Sequence, residues 1–179
     1  MGAGNDYGGR CRNANTDDHA EAEGEMKHEV WHGCYDQGWG DLIVPEAFSH
    51  PAKFARGLIY RIVRTGVERG WFMPGETLLL DPFAGVALGG LAAAAHGLAW
   101  VGVELEPRFV ALGQQNIDLH RADYEHMGLP VPQLIQGDSR RLAEILAGVG
   151  IGGGITSPPY VSGGHHDGVF NTWGGEHSR

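Results

Sequence analysis

Between residues 51 and 156 the apolar positions alternate between a helical and an extended rhythm. Phe54, Leu58, Ile59, Ile62, Val63 and Val67 recur at helical spacing. They predict an amphipathic helix from Pro51, capped by Ser49 or His50 and stopped by Gly70. Thr77–Leu80 is a short apolar run ending in Asp81, the pattern of a strand buried on both faces. Small helix formers fill Leu88–His96, and Gly97 follows as a C-cap. The alternation then repeats: Ala99–Val103 as a strand, Pro107–His120 as a helix, Leu134–Gln136 as a strand and Ser139–Leu146 as a helix. Ile151–Thr156 is expected to be a fourth strand, weakened at its start by Gly152–Gly154. Strands and helices alternating at this spacing predict an α/β domain: a parallel sheet, helices on both faces, right-handed crossovers.

The flanks read differently. Residues 1–30 hold seven acids against three bases and almost no aliphatic side chain, so an acidic, disordered tail is expected. Trp31, Tyr35, Trp39 and the group Leu42-Ile43-Val44 suggest an irregular arm packed on the domain, which is taken to span 31–160. Residues 161–179 are Gly-rich and read as a flexible stub. Of the 30 glycines, 8 lie in residues 1–40 and 10 in residues 148–175, so the excess is terminal and no collagen-like repeat is present.

Net charge and segment composition narrow the functional classes. A formal charge of −9 argues against non-specific nucleic-acid binding by the whole surface, though not against a local basic face. Arg56, Arg61, Arg64 and Arg69 share one side of the first helix and read either as a solvated face or as phosphate contacts. No run of about 18 apolar residues and no secretory leader is found, so a cytoplasmic protein with no membrane partner is expected. Two cysteines, Cys11 and Cys34, do not make a disulfide framework. His28, His32 and Cys34, with Cys11 and His19 upstream, follow no zinc-ligand spacing, nor does His165-His166-Asp167, and no metal is expected.

In an open parallel sheet, ligands bind beyond the carboxyl ends of the strands. Here those positions hold Asp81-Pro82-Phe83-Ala84-Gly85, Glu104, Gly137-Asp138 and Ser157-Pro158-Pro159-Tyr160. A glycine turn followed 23 residues after Asp81 by Glu104 suits a nucleotide whose ribose hydroxyls need a carboxylate acceptor. The turn is not G-x-G-x-x-G, and an acid at its opening would repel a pyrophosphate. A cationic ligand without phosphate fits better, and S-adenosylmethionine is one. Asp138 is placed to accept an adenine amine. Two prolines after the fourth strand remove two donors and stiffen the turn, leaving carbonyls and the Ser157 hydroxyl as acceptors for an amine. Tyr160 offers a face on which to stack a base taken out of its helix.

These segments in combination resemble the amino-group DNA methyltransferases, which methylate cytosine N4 or adenine N6. DPFAG (81–85), VGVELEPRFVALGQQN (101–116), LIQGDS (134–139) and TSPPY (156–160) resemble that family's ordered motifs, and HPAKF (50–54) resembles the motif that closes over the cofactor. The resemblance implies S-adenosylmethionine as cofactor, with Lys53 and Phe54 beside it. Asp81, Pro82, Phe83 and Gly85 would surround its methionine, Glu104 its ribose and Asp138 its adenine. Ser157, Pro158, Pro159 and Tyr160 would be catalytic and hold a base flipped from double-stranded DNA. Ser157, where Asp or Asn is commoner in adenine enzymes, favours cytosine N4.

Two positions depart from the family. Its usual glycine two residues after Gly85 is Ala87, which is expected to crowd the loop. The sequence also ends 19 residues after Tyr160, so four strands of the family's seven-stranded Rossmann-like sheet are expected, without a target-recognition region. An RNA amine methyltransferase and a non-catalytic remnant of a DNA methylase are the competing readings.

Overall fold

The computed structural model describes residues 29–51 and 53–157. The expected tail up to residue 28, the 161–179 stub, and Pro158, Pro159 and Tyr160 lie outside the described residues. Eight regular elements follow one another: α1 (Arg56–Glu68), β1 (Leu78–Asp81), α2 (Leu88–Ala94), β2 (Ala99–Glu104), α3 (Pro107–Met127), β3 (Gln133–Gln136), α4 (Leu142–Ile145) and β4 (Gly153–Gly154). The four strands form one sheet of order β3-β2-β1-β4, and every pair is parallel. The expected Rossmann-like α/β arrangement of four strands is therefore present.

Leu79, Asp81, Trp100, Gly102 and Leu134 lie on one face by register. That face is roofed by α2 and α3, with α1 packed on α2. The buried cluster sits in this layer, formed by Ile59 and Val63 of α1, Leu88 and Leu91 of α2, Leu112 and Ile117 of α3, and Leu79 and Trp100 of the sheet. Trp100 shapes its surroundings. A Cβ at Gly90 would lie 2.8 Å from its ring, and one at Gly102 only 2.1 Å, so α2 and β2 approach the indole where no side chain intervenes. On the opposite face the short α4 covers less: Ile145 meets the sheet at Gly137 and Val103, while Leu78, Leu80 and Ile135 stay half-buried.

Several boundaries differ from the sequence reading. Helix α1 begins at Arg56, five residues after Pro51, and neither Ser49 nor His50 caps it. Residues Pro45–Ser49 form a separate 3-10 turn, and His50, preceding a proline, is extended as the pre-proline clash requires. The Ser49 hydroxyl donates to the Glu46 carbonyl instead. Helix α3 runs to Met127, well past His120, and stops where Gly128 turns to φ +68° and Leu129 N–H bonds back to the Tyr124 carbonyl. The expected Ser139–Leu146 helix is split into a 3-10 turn, Ser139–Arg141, and α4.

Strand β4 is reduced to Gly153–Gly154, extended by Gly152 N–H to the Leu78 carbonyl and Ile155 N–H to the Leu80 carbonyl. Its glycines permit close packing as well as weakening the strand. A Cβ on Gly153 would sit 2.9 Å from the Phe72 ring, and one on Gly66 in α1 only 2.3 Å from it. Phe72 is thus wedged between α1 and β4.

The expected arm is present. Cys34, Trp39, Ile43 and Ala47 are buried, and the arm is tied down through polar bonds. Asn116 of α3, fully buried, accepts from Val44 N–H at 2.8 Å and donates to the Val86 carbonyl at 2.9 Å. Trp39 Nε1 donates to the Phe54 carbonyl.

Candidate functional site

The carboxyl ends of all four strands open into one cavity of about 320 Å³. Pro82 and Phe83 follow β1, Glu104 to Glu106 end β2, Gly137 to Ser139 follow β3, and Ser157 follows β4; all of them line it. His50, Pro51 and Phe109 close the wall on the arm side. Its lining contains Glu104, Glu106 and Asp138 and, among the described residues, no Lys or Arg. Phe83 and Leu105 expose apolar surface at its rim.

The loop after β1 is held from below and from the side. Asp81 is only 1% exposed, and its Oδ1 accepts the Phe83 N–H at 3.0 Å. Burial pushes its carboxyl up to about 6, with the nearby Glu104 charge adding to the rise, while hydrogen bonds from the Thr156 side chain and the Phe83 amide oppose it. Glu104 Oε2 accepts Gly85 N–H at 2.8 Å, and its Oε1 accepts Glu106 N–H at 2.9 Å. The Glu104 carboxylate thereby fixes both the glycine turn and the start of α3, and each oxygen keeps acceptor capacity for a ligand hydroxyl.

Gly85 has φ +52°, and a Cβ there would lie 2.8 Å from the His50 ring, so the turn requires glycine on both counts. Ala87 adopts φ +64° and ψ +26°, a left-handed conformation that explains why glycine would suit this position. The expected crowding against a cofactor is not seen: the Ala87 methyl is wholly buried in the core cluster and does not line the cavity.

Asp138 is engaged by its own loop. Its carboxylate accepts Arg140 N–H at 3.0 Å and both Nε and Nη2 of the Arg140 guanidinium, which holds its pKa down at about 2. Lys53 and Phe54 do not line the cavity. Lys53 Nζ donates to the carbonyls of Phe48 and His50, closing the loop that forms the cavity wall, and burial lowers its pKa. Phe54 packs against the core. Of the residues singled out in the sequence, Pro82, Phe83, Glu104, Asp138 and Ser157 meet at the cavity. Asp81 and Gly85 support it, and Pro158, Pro159 and Tyr160 lie outside the described residues.

Sequence reasoning did not single out Phe109, Leu105 or Ser139. Phe109 was detectable only as an apolar position early in α3, where its ring meets His50 edge-on at 4.3 Å. The arginine face of α1 turns out to be internally paired. Arg61, 8% exposed, and Arg69 both bond Glu29, at 2.9 and 2.7 Å; Arg64 bonds Glu68; Arg56 lies over the Tyr60 ring. These partners favour a structural face over phosphate contact. Among the described residues no cluster of His, Cys, Asp and Glu could hold a metal, and no helix is long and apolar enough to cross a membrane.

No protein-family model and no curated protein matches the chain. Among solved structures, it is similar to a SAM-dependent methyltransferase from Agrobacterium tumefaciens, at 18% identity and a TM-score of 0.46 over 60% of this chain and 33% of that one. It is also similar to a Podospora anserina methyltransferase solved with SAH bound, at 14% identity and a TM-score of 0.42 over 64% of this chain and 44% of that one. A variant of MtNAS in complex with S-adenosylmethionine aligns at 20% identity and a TM-score of 0.42, over 59% of this chain and 39% of that one. The chain spans less than half the length of each of these structures.

Proposed function

We propose that the strand-tip cavity binds S-adenosylmethionine and that the chain serves transfer of its methyl group to an exocyclic amine of a DNA base, cytosine N4 in preference to adenine N6. The observation that carries the cofactor part is the cavity itself. Its wall comes from four parallel strand tips, is acidic and aromatic, and holds no cationic side chain among the described residues. Such a lining disfavours a phosphate-bearing nucleotide and suits a cationic one.

The cofactor supplies an electrophilic methyl on a sulfonium. The chain's own residues bind and orient. Asp81, buried beneath the loop, and the Gly85 turn would set the Pro82–Phe83 wall toward the ammonium end, Glu104 would accept from ribose hydroxyls, and Phe83, Leu105 and Phe109 would exclude water. Asp138 accepts the adenine amine once Arg140, a largely exposed partner, turns away. Ser157 would accept a hydrogen bond from the target amine, favouring the pyramidal nitrogen in which the conjugated lone pair becomes available. The DNA assignment rests on the TSPPY resemblance alone.

Calorimetry of the full chain with S-adenosylmethionine tests the first part. No heat at millimolar ligand with a folded chain would favour the non-catalytic remnant. Incubation with labelled cofactor and duplex DNA or RNA, followed by nucleoside analysis, tests the second. N4-methylcytosine in DNA is the expected product; a methylated amine in RNA alone would replace the DNA reading.

A further inference from the structure

The arm runs counter to α3 and is fastened to it at three places. His120 Nε2 lies 2.8 Å from the Leu42 carbonyl, Asn116 Oδ1 accepts Val44 N–H at 2.8 Å, and Arg108 Nη2 donates to the Ser49 hydroxyl at 3.0 Å. The middle fastening uses a fully buried side chain, whereas the Arg108 bond, nearest the cavity, is exposed. Immediately after Ser49 the chain becomes cavity wall, because His50 and Pro51 line it. The His50 ring meets Phe109 edge-on at 4.3 Å and lies against the Gly85 turn, where an added Cβ would be 2.8 Å away.

Arg108 stands where local preference opposes it. It is the second residue of α3, in a first turn without an acid, where the helix dipole disfavours a cation. Among the described residues it makes no ion pair that would compensate. Instead its guanidinium lies over the Phe109 ring, 5.9 Å from the centroid, and reaches the Ser49 oxygen. That hydroxyl in turn donates to the Glu46 carbonyl at 2.7 Å, so a relay from Arg108 through Ser49 to Glu46 braces the Pro45–Ser49 turn from outside. The Lys53 bonds to the Phe48 and His50 carbonyls shape the same loop from within but do not join it to α3.

We propose that Arg108 is a positioning residue: through the Ser49 hydroxyl it pins the end of the arm to the first turn of α3 and so holds His50 as the cavity wall beside the Gly85 turn. The pin is a property of the chain without ligand. Its functional meaning rests on the reading of the cavity as the S-adenosylmethionine site.

The test follows amide exchange at His50, whose N–H bonds the Ala47 carbonyl at 3.2 Å within the braced turn, in four forms of the full chain. These are the unaltered protein, Arg108→Met, which keeps a long side chain and removes the guanidinium, Ser49→Ala, and the double variant. In Arg108→Met, exchange at His50 is expected to quicken by about threefold to tenfold, the range of one net hydrogen bond. Val44, held by the buried Asn116, should exchange as before. Arg108→Met should add nothing once Ser49 is replaced, because the bond is already gone. Unmoved His50 exchange in Arg108→Met would overturn the proposal, as would equal quickening at Val44 or effects of the two substitutions that simply multiply. Saturating S-adenosylmethionine, its binding confirmed by calorimetry, should slow His50 exchange in the unaltered chain and in Arg108→Met; binding without slowing would overturn the role of His50 as a wall of that site. If S-adenosylmethionine does not bind the unaltered chain while Arg108→Met quickens His50 exchange alone, the proposed function falls and the pin stands.

Discussion

Asp81 connects the stability of the fold to its chemistry, and Asp81→Asn measures the connection. The carboxyl is 1% exposed and titrates near 6, against 3.8 for an ordinary aspartate. Because the folded value is raised, the folded chain binds the proton more tightly than the unfolded chain does. The stability this contributes is fully present below the unfolded value of 3.8 and is lost as pH rises through about 6. A difference of about two pH units at 1.36 kcal/mol each puts the loss at roughly 3 kcal/mol by neutral pH.

Asparagine is nearly isosteric and never ionises, so it avoids that loss. It keeps one acceptor oxygen for the Phe83 amide or the Thr156 hydroxyl, and the weakened second bond costs about 1 kcal/mol. The expected net gain for Asp81→Asn is therefore about 1–2 kcal/mol at pH 8, shrinking through zero toward pH 4. Urea unfolding of both chains at pH 4.5, 6 and 8 reads the difference, in which the titrations of all other groups largely cancel. A difference that stays constant across this range would refute the argument that burial dominates. So would an asparagine variant destabilised at pH 8. The same variant is expected to weaken S-adenosylmethionine binding, because it removes a negative charge buried directly behind the Phe83 wall of the cavity.

Other residues divide structure from function. Glu104→Ala is expected to abolish S-adenosylmethionine binding by calorimetry and also to lower the thermal midpoint of the free chain, since it releases the Gly85 and Glu106 amides; Ser157→Ala should spare both and reduce only turnover. Arg140→Ala frees the Asp138 carboxylate and is expected to tighten binding slightly, since an exposed ion pair is easily given up; weaker binding would assign Arg140 a supporting role. Asn116→Leu leaves Val44 N–H and the Val86 carbonyl without their partner and should destabilise by about 2–4 kcal/mol in urea. Ala87→Gly removes left-handed strain of about 1–2 kcal/mol but forfeits about 0.8 kcal/mol of methyl burial and adds unfolded-state freedom of about 0.4–1 kcal/mol; unfolding free energy should stay within about 1 kcal/mol, and a loss above 2 kcal/mol would show that the methyl dominates.

The alternation of apolar rhythms determined the strand and helix types, because a short continuous apolar run and a stripe of period 3.6 leave different marks on a sequence. Once four short strands alternate with helices, crossover geometry leads to a parallel sheet whose carboxyl ends face one way, so Asp81, Glu104, Asp138 and Ser157 were identifiable from the sequence as residues of one sheet edge. Element ends were less legible. Pro51 suited a first turn in sequence, yet α1 starts at Arg56, and Lys53 in between bonds back to the Phe48 and His50 carbonyls.

What only the tertiary structure decided is which partner each polar group takes. The arginines of α1 share one helix face in sequence, but Glu29 and Glu68 claim three of them. Asp138 is read as a free acceptor until Arg140, two residues on, folds back over it. The glycines of β4 weaken a strand in isolation, and only the packed Phe72 ring shows what they admit. Local spacing fixes where a side chain sits along its element. Which charge or ring it meets depends on how separate elements pack, and on how far burial in that packing raises or lowers the free energy of each charge.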